Sequence, residues 1–315
     1  MVADLAHSWL TFSAAVAAAK AAGRPLVALE SSIIAHGMPY PENIRTAREV
    51  EALVRAMGAE PATIALIGGR IHIGLADDEL ELLGRSDRVH KVSRRDLPAV
   101  LAGGGLGATT VAGTMICAAL AGIEVFVTGG IGGVHRGAQE TFDISADLQE
   151  LAKTSVAVVC AGAKSVLDIG LTLEYLETYG VPVLSCGQDN FAAFYTRDSG
   201  FRADFRLDDA ADQAHFIRTK WDLGLEGGVL LSTPVPEASA MPSAEIEALT
   251  QQALTEATAQ DITGKAVTPF LLSRIKTLTG GRSLATNIAI VKHNAEVGAR
   301  LALALAHAAR EPGAA

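Results

Sequence analysis

The chain contains only three cysteines and few aromatic residues among its 315 positions. Cys117, Cys160 and Cys186 are too few and too widely spaced for a disulfide framework or a paired-cysteine metal site, which indicates a reducing compartment. Aromatic residues make up 5% of the chain, although 49% of it is hydrophobic, so the apolar content is mostly Ala, Val, Leu and Ile. This composition excludes intrinsic disorder and predicts a closely packed, folded cytoplasmic protein.

Basic residues are also scarce. There are 26 lysines and arginines against 35 aspartates and glutamates, which gives a formal net charge of -9. A general nucleic-acid binder or a protein that binds anionic membranes would need a basic face, so we expect neither nucleic acid nor a membrane as a partner. A local basic pocket is still compatible with this balance.

The chain lacks an uninterrupted hydrophobic run of membrane-spanning quality. Residues 1–22 have neither the cationic start nor the continuous apolar stretch of a signal peptide. The segment from Leu97 to Ile123 carries no formal charge and is long enough to span a bilayer, but six glycines, a proline and three threonines interrupt it. We therefore expect a loop followed by a buried helix in this segment.

Apolar runs alternate with helical patterns along the chain. The runs that predict strands buried on both faces are Pro25–Leu29, Ala62–Ile67, Ile123–Val127, Val156–Cys160, Val181–Leu184 and Gly228–Leu231. The predicted helices are Glu42–Met57, Thr114–Ala121, Ala146–Ala152, Ser165–Tyr179 and Ser243–Ala259. This order predicts a three-layer α/β/α sandwich with a largely parallel or mixed central sheet. Only residues 233–237 could form a joint, so we expect residues 1–315 to form a single catalytic domain.

Polar residues that follow the predicted strands are the first candidates for chemistry, because ligands of open α/β sheets bind at the carboxyl ends of strands. Glu30 ends one apolar run and precedes another. Burial without a cation favours the neutral carboxylic acid, which can donate a proton. The alternative is a carboxylate paired structurally with an arginine.

Lys164 follows the run that ends at Cys160 and precedes a predicted helix. The positive end of a helix dipole disfavours an ammonium ion, so this position would make the free, nucleophilic amine more accessible. The alternative is a solvent-exposed lysine beside a helix that Ser165 caps.

A glycine-rich segment, Thr128–Gly137, follows a third run. Four glycines in five residues let backbone N–H groups approach an anion closely, and His135 with Arg136 could add hydrogen bonds and charge. A phosphate is the natural ligand. The spacing matches neither a P-loop nor a dinucleotide-binding fingerprint, and a simple tight turn is the alternative.

Asp143, Ser145 and Asp147 would share a face if the segment were extended, and the two aspartates would share a face if it were helical. Either geometry clusters oxygen ligands, which suit Mg²⁺ or Mn²⁺. The alternative is that Asp147 caps a helix, with Glu150 completing a capping box.

Several long motifs resemble those of pseudouridine-5′-phosphate glycosidases, and the likeness covers nearly the whole chain. They lie at residues 29–43, 91–97, 109–111, 128–137, 142–148, 159–164, 234–237 and 281–289. The resemblance implies an enzyme that reversibly cleaves the carbon–carbon bond between C5 of uracil and C1′ of ribose 5-phosphate. It also implies the three-layer fold, a small-molecule substrate and a homotrimer.

Residue roles follow from the same resemblance, by motif position. Lys164 would be the nucleophile that forms an imine with the ring-opened ribose, and Glu30 would be the proton donor that helps open the ring. Asp143 would hold Mn²⁺ or another divalent cation such as Mg²⁺. The residues implied in substrate binding are Lys91, Val111, Thr128, His135, Ser145, Ala146, Asp147 and Asn287, of which Thr128, His135 and Asn287 belong to the phosphate end.

The chain departs from the usual family pattern at several places, and none of them is Glu30, Asp143, Asp147 or Lys164. Residues 186–195 read CGQDNFAAFY, Gly113 and Gly170 replace an expected Ala and Pro, and Thr233 stands where Asn commonly precedes Pro-x-Pro-Glu. These departures bear on the base, the rate or the preferred direction. Two alternatives therefore remain: a C-nucleoside 5′-phosphate synthase that uses another ring, and an inactive phosphosugar-binding homologue.

Overall fold

The computed structural model describes residues 8–309. Residues 1–7, which belong to the segment considered above for a signal peptide, and residues 310–315 lie outside this range. The strands within it are β1 (Leu10–Phe12), β2 (Leu26–Leu29), β3 (Glu60–Ile67), β4 (Arg70–Ile73), β5 (His90–Val92), β6 (Gly107–Thr109), β7 (Val125–Val127), β8 (Val134–His135), β9 (Ala157–Cys160), β10 (Leu167–Asp168), β11 (Val183–Ser185), β12 (Phe205–Arg206) and β13 (Val229–Ser232).

All of these strands except β8 and β10 form one sheet. Its main path runs β1-β4-β3-β2-β7-β9-β13-β11-β12, and β6 joins β5 to β3. Strand β3 pairs antiparallel with β4 and β6, whereas the remaining pairs of this sheet are parallel. Strands β8 and β10 form a separate antiparallel pair. The predicted largely parallel or mixed sheet is confirmed.

Helices lie on both faces of the sheet. They are α1 (Ala14–Ala21), α2 (Glu42–Ala56), α3 (Asp77–Arg85), α4 (Leu97–Ala102), α5 (Val111–Ala121), α6 (Ala138–Thr141), α7 (Ala146–Leu151), α8 (Ile169–Thr178), α9 (Ala210–Asp222), α10 (Ser243–Ala259), α11 (Val267–Leu278) and α12 (Arg282–Ala308). A π-helical turn covers Ile33–Gly37, and single 3₁₀ turns cover Glu237–Ser239 and Gly264–Ala266.

The central strands alternate between two apolar cores, because successive side chains of a strand point to opposite faces. In β7, Val125 and Val127 pack in one core with α2, α9 and α12, whereas Phe126 packs in the other with α1, α5, α7 and α8. Strands β2, β9 and β13 alternate in the same way. Both faces of the sheet are thus covered, which confirms the predicted three-layer α/β/α sandwich.

Each predicted strand is present, with its ends shifted by no more than two residues. The prediction is wrong for one helix, since the pattern from Ser165 to Tyr179 becomes helical only at Ile169. Before that, Leu167 and Asp168 form β10, and the Asp168 carboxylate caps α8 by accepting the Leu171 N–H at 3.0 Å. Lys164 therefore lies in a loop, and the helix-dipole argument for its reactivity, with Ser165 as the alternative cap, does not hold.

The uncharged segment from Leu97 to Ile123 also differs from its prediction. It contains α4, β6 and α5 in place of a loop and one helix. Within residues 8–309, none of the helices combines the length and apolarity needed to cross a membrane.

A buried lysine holds the turn that leads into β13. Lys220 is 7% exposed, and its ammonium group donates hydrogen bonds to the carbonyl oxygens of Leu225, Glu226 and Gly227 at 2.8, 2.6 and 2.9 Å. Burial lowers the pKa of this group. The three bonds satisfy carbonyl groups that follow the end of α9.

Replacing this lysine tests its structural contribution. We expect Lys220→Met to lower the free energy of unfolding by about 1–3 kcal/mol, because three carbonyl groups lose their charged donor. Urea denaturation followed by circular dichroism measures the change. The matched control is Lys153→Met at an exposed position, which should stay within about 0.5 kcal/mol of the wild type. Equal stability of the two variants would contradict the role of Lys220.

Candidate active site

A cleft of about 590 Å³ opens at the carboxyl ends of the parallel strands. Both proposed catalytic residues, Glu30 and Lys164, line it. The other predicted site residues in its wall are Lys91, Val111, His135, Asp143, Ser145, Ala146, Asp147 and Asn287. The fold thus brings together side chains that are up to 257 positions apart in the chain, from 30 to 287.

Glu30 directly follows β2 and is 8% exposed. Its Oε1 accepts a short hydrogen bond from the Thr128 hydroxyl, and its Oε2 accepts one from the Ser32 hydroxyl at 2.8 Å. No arginine pairs with it among the ion pairs of the described residues. The carboxyl group is therefore held by two hydroxyls at the wall of the cleft, and the structural arginine pair considered above is absent.

Thr128 is the one predicted substrate-binding residue outside the cleft wall. It directly follows β7 and is 1% exposed. Its hydroxyl donates to Glu30, and its N–H donates to the Val159 carbonyl oxygen at 3.0 Å. The structure thus places Thr128 against Glu30 rather than in the wall of the cleft.

Asp147 joins two parts of the cleft wall. It is 6% exposed, its Oδ1 accepts the Ala112 N–H at 2.9 Å, and its Oδ2 accepts the Gly132 N–H at 2.9 Å. The helix α7 is capped instead by the Ser145 hydroxyl, which accepts the Asp147 N–H at 3.2 Å. The alternative in which Asp147 caps the helix is therefore wrong, and its carboxylate accepts hydrogen bonds from two backbone groups of other segments.

Glu150 does not complete a capping box. Its carboxylate, on a residue 1% exposed, receives two hydrogen bonds of 2.7 Å from the Arg94 guanidinium. Arg94 belongs to the cleft wall, and the bidentate pair raises its pKa further above the ordinary arginine value. The pair ties the segment after β5 to α7.

Lys164 lies in the loop between β9 and β10. The loop runs beside the glycine-rich segment: Ala163 forms a parallel bridge with Ile131, and the Lys164 N–H donates to the Ile131 carbonyl oxygen at 3.1 Å. These contacts hold the backbone of Ala163 and Lys164, and the Lys164 side chain lines the cleft. Its position comes from backbone pairing and not from a helix N-terminus.

His135 and Asp143 meet at one end of the cleft. The His135 Nδ1 is 3.8 Å from the Asp143 Oδ2. Burial lowers the pKa of His135 below its usual range, and the charges of Lys91 and Lys164 act in the same direction, although Asp143 opposes them. The imidazole is therefore mainly neutral at pH 7.

Arg136 is not a free cation for the phosphate. Its guanidinium binds both carboxylate oxygens of Glu247, at 2.6 and 2.8 Å. It also donates a longer hydrogen bond of 3.4 Å to the Ser165 carbonyl oxygen. The arginine thus ties α10 to the loop of Lys164.

Asn287 enters the wall from the first turns of α12. It is 8% exposed, and its Oδ1 is buried without a hydrogen-bond partner among the described residues. Val111 also lines the cleft and is the first residue of α5, where backbone N–H groups lack intrahelical partners. Both positions can offer polar groups to a ligand.

The cleft also contains residues to which the sequence analysis gave no individual role. They are Ser32, Ile33, His36, Gly37, Ser93, Arg94, Arg95, Thr110, Gly129, Gly130, Gly132, Ile144, Gln149, Phe194, Gly264, Thr268, Pro269 and Leu272. Several belong to the motifs at 29–43, 91–97 and 128–137, which could have identified them. Residues 264–272 carry no such signal.

His36 and Phe194 are the most informative of these. Burial lowers the pKa of His36, with a further contribution from Lys91, and its Nε2 is buried without a hydrogen-bond partner within the described chain. Phe194 has a φ of 60° and is 2% exposed, so an aromatic residue is held in a conformation that side chains rarely adopt. It brings the unusual segment 186–195 to the cleft.

The single-residue departures from the family pattern have local structural reasons. A Cβ at Gly113 would lie 2.6 Å from the Val92 carbonyl oxygen, and a Cβ at Gly170 would lie 3.0 Å from the Phe201 ring. Thr233 donates a hydrogen bond to Asn294 at 2.6 Å. None of these residues lines the cleft.

Comparisons with known proteins cover nearly the whole chain. A family model described as indigoidine synthase A like protein matches residues 15–304. A pseudouridine-5′-phosphate glycosidase of Cupriavidus pinatubonensis is 85% identical over 310 residues, which are 98% of this chain and 99% of the relative. One from Geobacillus kaustophilus is 63% identical over 296 residues, or 94% and 98% of the two chains.

Solved structures give the same coverage. The prealnumycin C-glycosynthase AlnA, in complex with ribulose 5-phosphate, is 41% identical with a TM-score of 0.89, over 96% of this chain and 98% of that one. An indigoidine synthase A-like protein of Thermotoga maritima is 35% identical with a TM-score of 0.85, over 90% and 94%.

The two histidines of the cleft predict how stability depends on pH. An unfolded histidine takes up its proton near a pKa of about 6.5, whereas His36 and His135 in the folded protein do so at lower pH. Between these values the unfolded state binds more protons, so we expect the free energy of unfolding to fall as the pH drops below about 6.5. Urea denaturation at pH 8, 6.5 and 5.5 measures it.

The control is His36→Asn, which removes one of the two groups. Its unfolding free energy should fall less steeply than that of the wild type between pH 6.5 and 5.5. An unchanged pH dependence would show that His36 takes up its proton equally in both states, contrary to the effect of burial.

Proposed function

Because the chain belongs to the indigoidine synthase A-like protein family, we propose that it breaks or makes the glycosidic bond of pseudouridine 5′-phosphate. The family resemblance predicted from the motifs is confirmed by relatives that are 85% and 63% identical over almost their full length. The bond joins C5 of uracil to C1′ of ribose 5-phosphate. Cleavage consumes water and yields uracil and ribose 5-phosphate, and formation is the reverse.

The observation that carries this proposal is that Glu30 and Lys164 line the same cleft. An acid and a nucleophile must reach one sugar to act on it together. The two side chains follow β2 and β9, which lie on either side of β7 in the sheet. This juxtaposition argues against a homologue that has lost catalysis.

A lysine nucleophile suits this reaction because the bond to be broken joins two carbon atoms. Ordinary glycosidases use two carboxylates around an oxygen or nitrogen leaving group, and a C-glycoside offers no such atom. Glu30 gives a proton to the ring oxygen as the C1′–O bond breaks, and the Lys164 amine bonds to C1′. The carbon–carbon bond then breaks with its electron pair on C5 of the base, which takes up a proton, while a C1′ imine forms. Water hydrolyses the imine and releases the sugar phosphate.

The phosphate end of the substrate requires hydrogen-bond donors from the protein. His135, Asn287 and Lys91 line the cleft, and the glycine-rich segment adds backbone N–H groups. A neutral His135 still donates one hydrogen bond. A phosphosugar ligand is further supported by AlnA, which was solved in complex with ribulose 5-phosphate.

A divalent cation fits the Asp143 end only as a largely hydrated ion. The described residues contain no group of three or more His, Cys, Asp or Glu side chains that could hold a metal. The half-exposed carboxylate of Asp143 suits Mn²⁺ or Mg²⁺, since such ions often keep several waters and one or two carboxylates. When bound, the ion supplies positive charge to the substrate. Asp143 would hold it, and Ser145, Ala146 and Asp147 line the adjacent wall.

We further propose that residues 1–315 act as one catalytic unit, which assembles as a homotrimer in the cytoplasm. The support for the trimer is the family resemblance. The three cysteines are free, and Cys117 and Cys160 are buried, which suits a reducing compartment.

A second function is favoured by one specific observation. AlnA is named a C-glycosynthase and is 41% identical over 96% of this chain. A C-nucleoside 5′-phosphate synthase that joins another ring to ribose 5-phosphate would use the same acid and lysine. The unusual segment 186–195, which delivers Phe194 to the cleft, is where a different ring would be accommodated.

Turnover tests the choice between these functions. The protein with Mn²⁺ should convert pseudouridine 5′-phosphate to uracil and ribose 5-phosphate, and the reverse mixture should yield pseudouridine 5′-phosphate. Chromatography with ultraviolet detection separates uracil from pseudouridine 5′-phosphate and follows both directions. No interconversion would sink the uracil assignment, and turnover of another ring with ribose 5-phosphate would favour the synthase.

Borohydride reduction tests the nucleophile. Incubation of the wild type with ribose 5-phosphate and borohydride should give a covalent adduct on Lys164, detected by mass spectrometry of the digested protein, because borohydride reduces an imine to a stable amine. Lys164→Ala should give none. The control Lys153→Ala, at an exposed position, should give the wild-type amount. An adduct that persists in Lys164→Ala would remove this lysine from the mechanism.

A further inference from the structure

We propose that Asn294 and Thr233 are positioning residues for Glu30 and act on it through Thr128. The proposal rests on the proposed function, in which Glu30 is the proton donor. Asn294 and Thr233 lie outside the cleft wall, so neither acts by touching the substrate. They form the second half of a chain of buried hydrogen bonds that ends at the Glu30 carboxyl group.

Asn294 is completely buried in α12. Its Nδ2 donates to the Thr128 carbonyl oxygen at 2.8 Å and, over 3.4 Å, to the Gly129 carbonyl oxygen. A helix side chain thus holds the backbone exactly where β7 ends and the glycine-rich segment begins. Backbone bonds to the β9 segment also reach these residues. The Thr128 N–H donates to the Val159 carbonyl oxygen at 3.0 Å, and the Gly129 carbonyl oxygen accepts the Ala161 N–H at 2.9 Å.

Thr233 sets the orientation of the amide. Its hydroxyl donates to the Asn294 Oδ1 at 2.6 Å, which leaves the Nδ2 facing Thr128. Thr233 directly follows β13 and is itself held by its N–H, which donates to the Cys160 carbonyl oxygen at 2.8 Å. The Asn294 side chain therefore links the ends of β7 and β13, and the Thr233 backbone links β13 to the end of β9.

The chain of bonds then reaches the acid. With its carbonyl oxygen bound by Asn294 and its N–H bound to Val159, Thr128 has both backbone polar groups engaged. Its hydroxyl is consequently directed at Glu30 Oε1. Glu30 depends on this contact for one oxygen and on Ser32 for the other.

A small cavity lies beside this contact. It measures about 30 Å³, and it is lined mostly by apolar side chains together with Glu30, Thr128 and the polar residues Asn43, Thr46 and Thr63. If Thr128 shifted, the Glu30 carboxyl group would have space to turn away from the cleft. A shift of about 1 Å at a reacting group is enough to cost about 100-fold in rate.

Kinetics of Asn294→Ala and Thr233→Val test the proposal. We expect kcat to fall about 10- to 100-fold in Asn294→Ala and about 3- to 10-fold in Thr233→Val, with KM changed less than about threefold. The matched control is Thr286→Val. Thr286 is also buried in α12 and donates to a backbone carbonyl, that of Ser239 at 2.9 Å, and lies outside the cleft wall. Its kcat should stay within about twofold of the wild type.

A double-mutant cycle with Glu30→Gln separates positioning from a general structural effect. If Asn294 acts through Glu30, adding Asn294→Ala to Glu30→Gln should lower the residual kcat less than about twofold further. A full multiplicative loss in the double variant, or a KM increase with unchanged kcat, would overturn the proposal. Thr233→Val keeps the shape of the side chain and answers the same question if Asn294→Ala does not fold.

The two proposals fail in different ways. If Glu30→Gln turns over at the wild-type rate, the acid assignment in the proposed function is wrong. If Glu30→Gln is impaired and the cycle is multiplicative, only the positioning role of Asn294 and Thr233 is wrong.

Discussion

The carboxylate of Asp147 joins the two walls of the cleft, and the arrangement of the site depends on it. One oxygen accepts the N–H of Ala112 in the first turn of α5, and the other accepts the N–H of Gly132 in the glycine-rich segment. A buried carboxylate is costly unless hydrogen bonds satisfy it, and here two backbone donors do so. Val111 and His135 lie within three residues of these donors. One side chain therefore ties the positions of these two residues to each other.

Charged side chains around the cleft also form pairs within the protein. Arg94 pairs with Glu150 and Arg136 with Glu247, so carboxylates balance the charges of these two arginines. Besides Arg95, an anionic ligand in the cleft then meets chiefly lysine side chains, imidazole and backbone N–H groups. This explains how a chain with a net charge of -9 can bind a phosphate without a basic surface.

The edge of the sheet that carries the site could be predicted from the sequence, because Glu30, Thr128 and Lys164 each follow an apolar run that becomes a parallel strand. The hydrogen-bond partners of individual side chains could not be predicted in this way. Asp147 bonds a residue 35 positions away, and its local pattern suggested a helix cap. Lys164 was expected beside a helix that in fact begins at Ile169. The bonds that a polar side chain forms, and the element beside which it lies, depend on which distant segments the fold brings together.

The same limit applies to the walls contributed by the last third of the chain. Helix α12 was not predicted, and residues 264–272 gave no motif, yet both reach the cleft. The buried face of α12 contains Ser283, Asn287 and Asn294 among its apolar residues, which interrupts the periodicity that marks a helix.

The place of α12 in the chain has a consequence for biosynthesis. This helix covers the core beside β2, β7 and β9 and supplies Asn287 to the cleft, but it is made after every strand. Because chains are synthesised from the N-terminus, a nascent chain has its acid and its lysine long before it has a complete site. Until α12 emerges from the ribosome, the apolar residues that it covers stay exposed. The cleft is therefore complete only once α12 has packed against the sheet.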